Sequence, residues 1–336
     1  MIALSTDDLR LILAETRLAP SVHNIQPSRW RLGDGAIALL GDAARSIPVA
    51  DPAGRDWRLS HGAAIEGLEI ALGQRGLAIA EVRIAAATSL NVGATAPLIP
   101  IASLTLKSIS GAAPSLPPIA TRVSWRGGFL PIDAETEHDL GQLASEQDDL
   151  RLVHGVQPIS EIARLADRAG LHFLREDGHR RELLHWLRLA RSHPLYERDG
   201  LNSRAMNLNA AEAWGAGLVL GPMFAALDRI GLAAPLVSEA GKTRTAAAVA
   251  LFHRPAGEDP LQSGRGFYRA WLAMERRNLK GCPMSVLADW PVARDELAAR
   301  FAIPPDRHII SVFRIGRPKG APQLVHARLP VDELIA

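Results

Sequence analysis

The chain has 336 residues, of which 47% are hydrophobic and 22% are charged. This composition is that of an ordinary globular protein, long enough for one large or two ordinary domains, and it excludes wholesale disorder. The formal net charge is +2 and the charges are scattered, so no nucleic-acid-binding arm is indicated. Cys282 is the single cysteine, which excludes an intramolecular disulfide and a multi-cysteine metal site.

The sequence shows neither an evident signal peptide nor a membrane span. The first residues lack a basic segment followed by an apolar core. The longest apolar stretch, residues 215–237, is interrupted by Asp228 and Arg229 and is too broken to cross a bilayer. We therefore expect a cytoplasmic protein that has no nucleic acid and no membrane among its partners.

The hydrophobic pattern before residue 120 predicts two helices, a hairpin, two further strands and a connector. The helices are expected from Ser5/Thr6 to just before Pro20 and over 55–76. The hairpin pairs residues 30–32 with 36–40 around Gly33-Asp34-Gly35, and the further strands are 81–86 and 98–106. Three prolines within 111–118 mark the connector.

The rest of the chain predicts helices and strands without regular βα alternation, which favours an α+β fold over a doubly wound sheet. Helices are expected over 133–147, 160–174, 180–190, 210–230 and 263–278, and strands over 246–252 and 309–315. Residues 61–77 also echo residues 264–279. Each is an amphipathic helix entered through small residues, and the echo alone leaves duplication and chance both open.

A short polar loop follows the first helix, with the sequence Ala-Pro-Ser-Val-His-Asn-Ile-Gln-Pro over residues 19–27. Its prolines restrict the backbone, and Ser21, Asn24 and Gln26 offer neutral donors and acceptors. Such a loop can hydrogen-bond the edge of a planar heterocycle. It can equally be a helix-ending turn whose polar groups cap the backbone, and the residues alone favour this second interpretation.

Arg122, Ser124 and Arg126 form the second candidate motif. In an extended segment they share one face, and two guanidinium forks flanking a hydroxyl suit a phosphate dianion. The alternative is a solvated strand with ordinary surface arginines. Arg317, His326 and Arg328 in the tail are further candidate contacts, although any one of the 34 arginines is more often at the surface.

Other catalytic and structural patterns give weaker signals. The spacing of the glycines over 215–221 does not match a dinucleotide-binding turn, and the sequence has no Walker A loop and no nucleophile elbow. Asp51, Asp56 and Glu66 form no recognisable acid–base pair. Cys282 is interpreted as a small buried residue. Four residues on helices are interpreted as core: Trp186, Trp214, Met223 and Met274.

Together these strings resemble the nitroreductase superfamily, and specifically its long, Acg-like FMN-binding branch. Residues 20–27 are similar to the family's PSxxNxQP loop, and residues 122–126 resemble its R-x-S-x-R/K phosphate motif. Residues 262–290 resemble the family's long core helix and the loop beyond it, and residues 309–330 its last strand and arm. The resemblance covers most of the chain and implies a nitroreductase-like α+β fold.

The distribution of the motifs implies a fused pseudo-dimer. Ordinary nitroreductases are homodimers in which one subunit supplies the phosphate arginines and the other supplies the loop. Here the loop lies in the first half, residues 1–115, and the arginine motif opens the second half, residues 116–336. The resemblance thus implies two degenerate tandem halves, one FMN site between them and a monomer. Extra helical sequence around 176–209 could form a lid over the flavin.

The resemblance also assigns roles residue by residue. The FMN phosphate would be held by Arg122, Ser124, Arg126 and Arg328. The ribityl chain and isoalloxazine would be lined by Pro20, Ser21, Asn24 and Gln26. The backbone amides near Ser285 and Val286 would address the N5 and O4 edge. His326 stands where the family often has lysine, and Ser28 replaces the tryptophan usual after the loop. The flavin carries the chemistry, so no catalytic side chain and no metal ion are expected.

The implied function is that of an FMN-dependent NAD(P)H oxidoreductase of nitroreductase type. Hydride would pass from NAD(P)H through flavin N5, in a ping-pong cycle, to a small-molecule acceptor such as a nitroaromatic or a quinone. One alternative is an FMN-binding storage or redox-sensing protein with an occluded site and little turnover. Another is a degenerate scaffold that binds no flavin. Rapid reoxidation of the reduced protein by an acceptor would distinguish the enzyme from the storage protein.

Overall fold

Two four-stranded antiparallel sheets and a set of helices form the fold. The computed structural model describes residues 4–33, 35–85, 98–110, 118–324 and 326–336. The strands are β1 (Ser28–Gly33), β2 (Ala36–Asp42), β3 (Leu77–Ile84), β4 (Leu98–Ser108), β5 (Leu150–Val153), β6 (Leu187–Arg188), β7 (Leu201–Asn202), β8 (Ala248–Pro255), β9 (Lys280–Pro283) and β10 (Arg307–Gly316). The helices are α1 (Thr6–Thr16), α2 (Arg55–Gly73), α3 (Ala134–Glu146), α4 (Val156–Arg175), α5 (Asp177–Trp186), α6 (Ala210–Leu220), α7 (Phe224–Arg229), α8 (Ala233–Val237), α9 (Ala240–Thr243), α10 (Pro260–Arg276), α11 (Val286–Asp289) and α12 (Pro291–Arg300). The predicted α+β class is confirmed.

The two large sheets have the same strand order. The first runs β1-β2-β4-β3 with α2 between its second and third strands along the chain. The second runs β5-β8-β10-β9 with α10 in the equivalent position. Their first connections differ: β1 and β2 form a hairpin, whereas residues 154–247, with α4 to α9, separate β5 from β8. In the second sheet, α11 and α12 also lie between β9 and β10. The sequence predicted as a lid lies within this insertion.

Helices α2 and α10 cross at two glycines, Gly62 and Gly264. A Cβ on Gly62 would lie 2.0 Å from the carbonyl oxygen of Leu261, and one on Gly264 would lie 2.1 Å from that of Leu59. Only glycine permits this approach of the two backbones. Because α2 packs on the first sheet and α10 on the second, the crossing joins the halves, and it does so within the two segments that echo each other.

The start of α2 is fixed by Asp51, which precedes the helix by four residues. Its two carboxylate oxygens accept hydrogen bonds from the backbone N–H groups of Arg55 and Trp57, at 2.8 and 2.9 Å. A carboxylate at this position satisfies free donors and complements the positive end of the helix dipole. Asp51 thereby fixes where the first turns of α2 lie, and those turns form one wall of the cavity described below.

Several predicted elements differ from those observed. Residues 210–230 form two helices, α6 and α7, because Pro222 has no N–H to donate and its ring cannot continue a helix. The helix predicted over 180–190 ends at Trp186. Trp214 and Met223 are exposed, at 72% and 44%, while Trp186, Met274 and Cys282 are buried as expected. Strands β5 and β9 and helices α11 and α12 were not predicted.

The C-terminal arm returns from the second sheet to the first. Leu329 and Leu334 are buried in the core of the first sheet, and the backbone N–H of Ala336 donates to the carbonyl oxygen of Trp30 at 2.8 Å. The last residues of the chain thus complete the first half. The expected boundary between residues 115 and 116 and most of the predicted connector, 111–117, lie outside the described residues, as does Asp34 of the hairpin turn. None of the helices in the described ranges is both long and apolar enough to cross a membrane.

Candidate functional site

A cavity of about 240 Å³ is lined by residues of both halves. A single water needs only about 10–15 Å³, so this cavity has room for a ligand. Eight of the ten predicted site residues line it: Pro20, Ser21, Asn24, Arg122, Ser124, Arg126, Ser285 and Arg328. The structure therefore brings together motifs that lie up to 308 residues apart in the sequence. Gln26 and Val286 do not line the cavity.

Arg122 is a buried cation that forms no ion pair with a described carboxylate, although Glu275 lies near enough for the Arg122 charge to lower the pKa of that carboxyl against the effect of burial. Its residue is 4% exposed, its Nη2 donates to the carbonyl oxygen of Leu18 at 3.1 Å, and its Nε is buried without a partner. The guanidinium carbon lies 4.5 Å from the centroid of the Trp271 ring, which gives a cation–π contact. Segment 122–126 is not a regular strand, and only Ser124 forms a bridge, with Gly281.

Arg328 is held entirely by neutral acceptors. Its Nε donates to the carbonyl oxygen of Arg17 at 2.6 Å, its Nη1 to the amide oxygen of Asn24 at 2.9 Å, and its Nη2 to the carbonyl oxygen of Leu18 at 3.2 Å. Burial, together with the nearby charge of Arg122, lowers the pKa of Arg328 to about 9. Leu18 accepts from both guanidinium groups, so the two cations lie side by side.

This end of the cavity therefore carries positive charge without a direct ion-pair partner. Among the described residues, no carboxylate lies within ion-pair distance of Arg122, Arg126 or Arg328. Burying a charge without a partner is costly. Guanidinium groups bind phosphate through paired, charge-assisted hydrogen bonds. The arrangement thus favours an anionic ligand, and a phosphate dianion fits it best.

The middle of the cavity is apolar and partly aromatic. Leu59 and Ala63 face it from α2, and Phe267 and Trp271 face it from α10. The Phe267 and Trp271 rings meet edge to face, with centroids 5.6 Å apart. Such a wall suits a planar ring system next to the phosphate end.

The predicted loop adopts a strained backbone. Three of its residues, His23, Asn24 and Gln26, have φ values of 43°, 55° and 52°, in the left-handed region that non-glycine residues seldom adopt. The Ser21 hydroxyl accepts from the N–H of Gln26 at 3.0 Å and helps to hold this shape. Strain of this kind is concentrated at functional sites.

The amides of Asn24 and Gln26 bind the protein itself. Asn24 Nδ2 donates to the carbonyl oxygens of Gly200 and Ala327, at 3.1 and 3.0 Å. Gln26 Nε2 donates to the carbonyl oxygen of Arg198 at 2.8 Å, and its Oε1 accepts from the N–H of Leu329 at 2.9 Å. The residues expected to face a heterocycle thus join the loop to the insertion and to the C-terminal arm.

Only the last part of the expected lid reaches the cavity. The lining residues from it are Gly200, Leu201, Arg204, Ala205 and Asn207. The carboxylate of Asp199, which is 2% exposed, pairs with Arg45 at 3.0 Å and with Arg188 at 2.9 Å. Together with the bonds from Asn24 and Gln26, these buried ion pairs hold the segment in place as a wall of the cavity.

Ser285 lies where β9 turns into α11. Its residue lines the cavity, whereas the Val286 side chain packs into the core of the second half. The N–H groups at a helix start have no intrahelical acceptor. The described hydrogen bonds give those of Ser285 and Val286 no other protein partner. The Ser285 donor is thus without a protein acceptor at the cavity edge, whereas Val286 does not line the cavity.

His23 is a cavity residue to which the sequence analysis assigned no role. Its Nδ1 is buried without a partner among the described residues. Burial and the nearby charge of Arg126 lower the pKa of His23 to about 4, so the imidazole is neutral near pH 7. Its position between Ser21 and Asn24 was the one sequence signal that could have identified it.

A carboxylate cluster also adjoins the cavity. Asp56 lines the wall, and Arg55 Nη2 lies 3.0 Å from Asp56 Oδ1 and 2.6 Å from Asp289 Oδ1. Burial, with the negative charge of Asp56 adding to it, raises the pKa of Asp289 to about 8. Asp56 and Asp289 lie 233 positions apart in the sequence, so no short motif could have predicted that they share a partner. Within the described ranges, no group of three or more His, Cys, Asp or Glu residues is placed to hold a metal ion.

Comparisons with known proteins agree with the resemblance. A Mycobacterium tuberculosis protein named "Putative NAD(P)H nitroreductase acg" is 33% identical over 72 residues, which are 21% of this chain and 22% of the relative. A second protein of that organism, also named as an NAD(P)H nitroreductase, is 34% identical over 70 residues, 21% of this chain and 20% of the relative. The chain resembles the nitroreductase superfamily, including its Acg-like branch. The matched segments span about a fifth of these nitroreductase relatives.

The chain also has nitroreductase neighbours among solved structures. A crystal structure titled as a nitroreductase from Anabaena variabilis is 12% identical, covers 95% of this chain and 90% of its own, and superposes with a TM-score of 0.43. A Mycobacterium smegmatis FMN-dependent nitroreductase in complex with NADPH is 18% identical, covers 63% of this chain and 90% of its own, and has a TM-score of 0.35. No protein-family model matches the chain.

Proposed function

We propose that the protein is an FMN-dependent NAD(P)H oxidoreductase of nitroreductase type that reduces a small-molecule acceptor. The observation that carries this proposal is the pair Arg122 and Arg328, two adjacent guanidinium groups, the first buried and the second half-buried, that form no ion pair with a described carboxylate and line an aromatic-walled cavity. The names of the sequence relatives, which are NAD(P)H nitroreductases, support the same activity.

The described residues fit FMN. The phosphate would be held by Arg122 and Arg328, with Ser124 and Arg126 lining the same cavity. The apolar wall from α2 and α10 would pack on the flavin ring, and the free backbone donors at Ser285 and Val286 would address its polar edge. The Nε of Arg122, a buried donor without a partner among the described residues, fits an anionic ligand at this position, because a buried donor without an acceptor is costly.

The bound flavin would supply the hydride transfer, and the protein would supply binding, orientation and exclusion of water. Asn24 and Gln26 would act indirectly, because they tie the loop to residues 198–200 and 327–329. The wall formed by Gly200 to Asn207 would limit the size of an acceptor that reaches the ring. Arginine side chains around the cavity favour acceptors and nucleotides that carry negative charge.

We further propose that the chain arose by duplication and acts as a monomeric pseudo-dimer. The identical strand orders of the two sheets and the crossing of α2 and α10 at paired glycines support this proposal. The single cavity takes its loop from the first half and its arginine motif from the second. One chain would therefore complete the site. A monomer in analytical ultracentrifugation that binds one FMN per chain would support this arrangement, and two FMN per chain would contradict it.

The proposed activity can be tested with one titration and one reduction. FMN is added to the purified protein while visible absorption is recorded, and NADPH is then added without oxygen. We expect a shifted flavin spectrum that bleaches with NADPH and recovers when a quinone is added. Riboflavin is the matched control, because it keeps the ring and lacks the phosphate that Arg122 and Arg328 would hold.

Each outcome decides between the functions. FMN that binds and stays oxidised with both NADH and NADPH would contradict the oxidoreductase and favour a storage or sensing protein. Riboflavin that binds as tightly as FMN would contradict the phosphate site. A protein that binds neither flavin would share only the fold with nitroreductases and would be the degenerate scaffold.

A further inference from the structure

We propose that Asp56 and Asp289, bridged by Arg55, form a proton-donating pair that serves reduction of the acceptor. Asp56, in the cavity wall, would deliver the proton to the acceptor. Asp289, which does not line the cavity, would share that proton with Asp56. This inference rests on the proposed oxidoreductase function and adds an acid to a site in which the flavin alone was expected to act.

The geometry brings the two carboxylates to one nitrogen. Arg55 Nη2 contacts Asp56 Oδ1 at 3.0 Å and Asp289 Oδ1 at 2.6 Å. The Asp56 and Asp289 side chains are 16% and 23% exposed, and that of Arg55 is 25% exposed. One guanidinium group therefore faces two partly buried carboxylates, and it can neutralise only one of them.

The charged groups around the pair come from several elements. Asp51, ahead of α2, adds a third negative charge, but both of its oxygens already accept backbone N–H groups. His308 of β10 lies near Arg55 and Arg294 of α12, and burial followed by these charges lowers its pKa. His23 of the cavity loop also lies near Asp56, but burial lowers its pKa to about 4 and leaves it neutral near pH 7. Among the described residues, no cation other than Arg55 pairs with either carboxylate. Two neighbouring carboxylates on one cation favour retention of one shared proton.

The shared proton has a route to the cavity. Asp56 belongs to the wall formed by the first turns of α2, beside Ser60. Asp289 lies one turn after Ser285, and its N–H donates to the Ser285 carbonyl oxygen at 2.9 Å. Ser285 also lines the cavity. The carboxyl pair therefore adjoins the part of the wall whose free backbone donors are expected to meet the reactive edge of the ring.

Independent observations show that this cavity is built for a ligand and lacks another acid. Arg122 is more than nine-tenths buried, and its Nε lacks a partner. The two lining histidines are neutral near pH 7, because burial lowers the pKa values of both His23 and His326. Arg328, whose pKa is lowered to about 9, stays protonated at that pH, and its donors are engaged by Arg17, Asn24 and Leu18. Among the described lining residues, Asp56 is the one carboxyl group, and the proton that it shares with Asp289 makes it the group suited to donate.

The proposed step balances. An acceptor A gains a hydride, which NAD(P)H supplies, and one proton from the carboxyl pair, giving AH₂. For a quinone, one new O–H bond takes up the hydride and its electron pair, and the second forms with the proton as the carboxyl O–H bond breaks. The carboxyl pair is left with both groups ionised and then takes up a proton from water. NAD(P)H is oxidised to NAD(P)⁺, and the acceptor is reduced by two electrons.

The test compares wild type with Asp289→Asn and Asp56→Asn by infrared spectroscopy and by kinetics. In wild type we expect a carboxylic-acid C=O band that is present near pH 6 and lost near pH 10, and we expect it to be absent in Asp289→Asn. Asp332→Asn is the control, because that carboxylate is exposed and Arg10 is its one ion-pair partner among the described residues. This readout requires neither flavin nor turnover.

The kinetic readout is the rate at which a quinone reoxidises the reduced protein. Because general acids contribute roughly 10²–10⁴-fold, we expect each variant to be at least about 100-fold slower near pH 6. The wild-type rate should fall as the pH rises through about 8, and the rates of the variants should not change there. Asparagine matches the neutral carboxyl in charge, so a purely electrostatic role would leave the rate near pH 6 unchanged. If one variant fails to fold, the other provides the same test.

The outcomes separate the two proposals. A wild-type protein without the titrating band, or variants that reoxidise at the wild-type rate, would overturn the proton-donating pair and leave the oxidoreductase intact. Failure to bind or reduce FMN would overturn the oxidoreductase, and the donor role with it. A titrating band together with slow variants would support both.

Discussion

The side-chain oxygen of Asn24 accepts a hydrogen bond from Nη1 of Arg328 at 2.9 Å. Asn24 belongs to the loop after α1, and Arg328 belongs to the C-terminal arm, 304 residues later. This contact links the part of the site expected at the flavin ring to the part expected at the phosphate. Each residue therefore fixes the position of the other before any ligand arrives, which reduces the ordering cost of binding.

We first predict that Asn24→Gly lowers the free energy of unfolding by about 1–3 kcal/mol, the range expected when buried hydrogen-bonding groups lose their partner. The glycine adopts the φ of 55° easily, so the loss isolates the bonds of Asn24 to Gly200, Ala327 and Arg328. Urea unfolding measures the change.

Asn278→Gly is the matched control. Asn278 has the same φ of 55° but is exposed, and its side chain makes no hydrogen bond among those described. This control should be neutral or slightly stabilising. Equal effects of the two substitutions would show that the change in backbone conformation dominates and that the hydrogen bonds of the Asn24 amide add nothing to the free energy of unfolding.

We next predict that Arg122→Gln weakens FMN binding by roughly 10- to 100-fold, because one charge-assisted hydrogen bond is worth about 1.5–3 kcal/mol. The same substitution should preserve or raise the stability of the unliganded protein, because it removes a buried charge without a counterion. Flavin fluorescence titration and urea unfolding measure the two effects.

Opposite changes in affinity and stability distinguish a binding arginine from a structural one. Arg83→Gln is the control, because the Arg83 side chain is 72% exposed and pairs with Glu81 at the surface. If Arg122→Gln lost stability and kept its FMN affinity, Arg122 would be a packing residue.

Much of the fold could be predicted because local signals agreed with the tertiary structure. The capping box of Ser5 and Asp8 starts α1 as expected, and the turn between β1 and β2 separates two apolar runs. The break at Pro222 overrode a continuous apolar pattern over 210–230. Strand β9 is only four residues long, and its identity depends on pairing with β10, which the local sequence does not encode.

The candidate site was predictable where a motif is contiguous. Eight of the ten expected residues meet at one cavity, but Gln26 faces the insertion and the arm instead. Its role depends on residues 172 and 303 positions away. The Asp56–Asp289 pair likewise depends on α11 packing near the start of α2. Such contacts arise from long-range packing, so they cannot be predicted from sequence periodicity, which indicates only local secondary structure.

We also predict that Gly62→Ala destabilises the protein by several kcal/mol. The added Cβ would lie 2.0 Å from the carbonyl oxygen of Leu261, so the crossing of α2 and α10 would have to open, and overpacking of this kind costs about 1–3 kcal/mol or more. Urea unfolding and the FMN titration should both report the change, since the cavity has walls from both helices.

Gly170→Ala is the matched control for this crossing. Gly170 lies within α4, and a Cβ there would meet nothing within 4 Å. Alanine in an open helical position should stabilise by about 0.5–1 kcal/mol. A stabilising effect at both positions would show that the two helices do not meet as closely as the structure has them.

The last prediction concerns His61, a fully buried residue whose Nδ1 lies 2.8 Å from the hydroxyl of Ser28. Burial, with the charges of Arg58 and Arg29, lowers its pKa from 6.5 to about 3. Between these values the unfolded chain binds a proton that the folded chain excludes, so the contribution of neutral His61 to stability is present above pH 6.5 and is lost as the pH falls. His61→Gln keeps a hydrogen-bonding group and removes the titration. Wild type should therefore lose up to about 1.4 kcal/mol more per pH unit than this variant between pH 6 and pH 4, as urea unfolding at each pH would measure.

His138→Gln, at an exposed histidine, should follow wild type. Parallel curves for wild type and His61→Gln would mean that His61 protonates in the folded protein and that its surroundings are open to water.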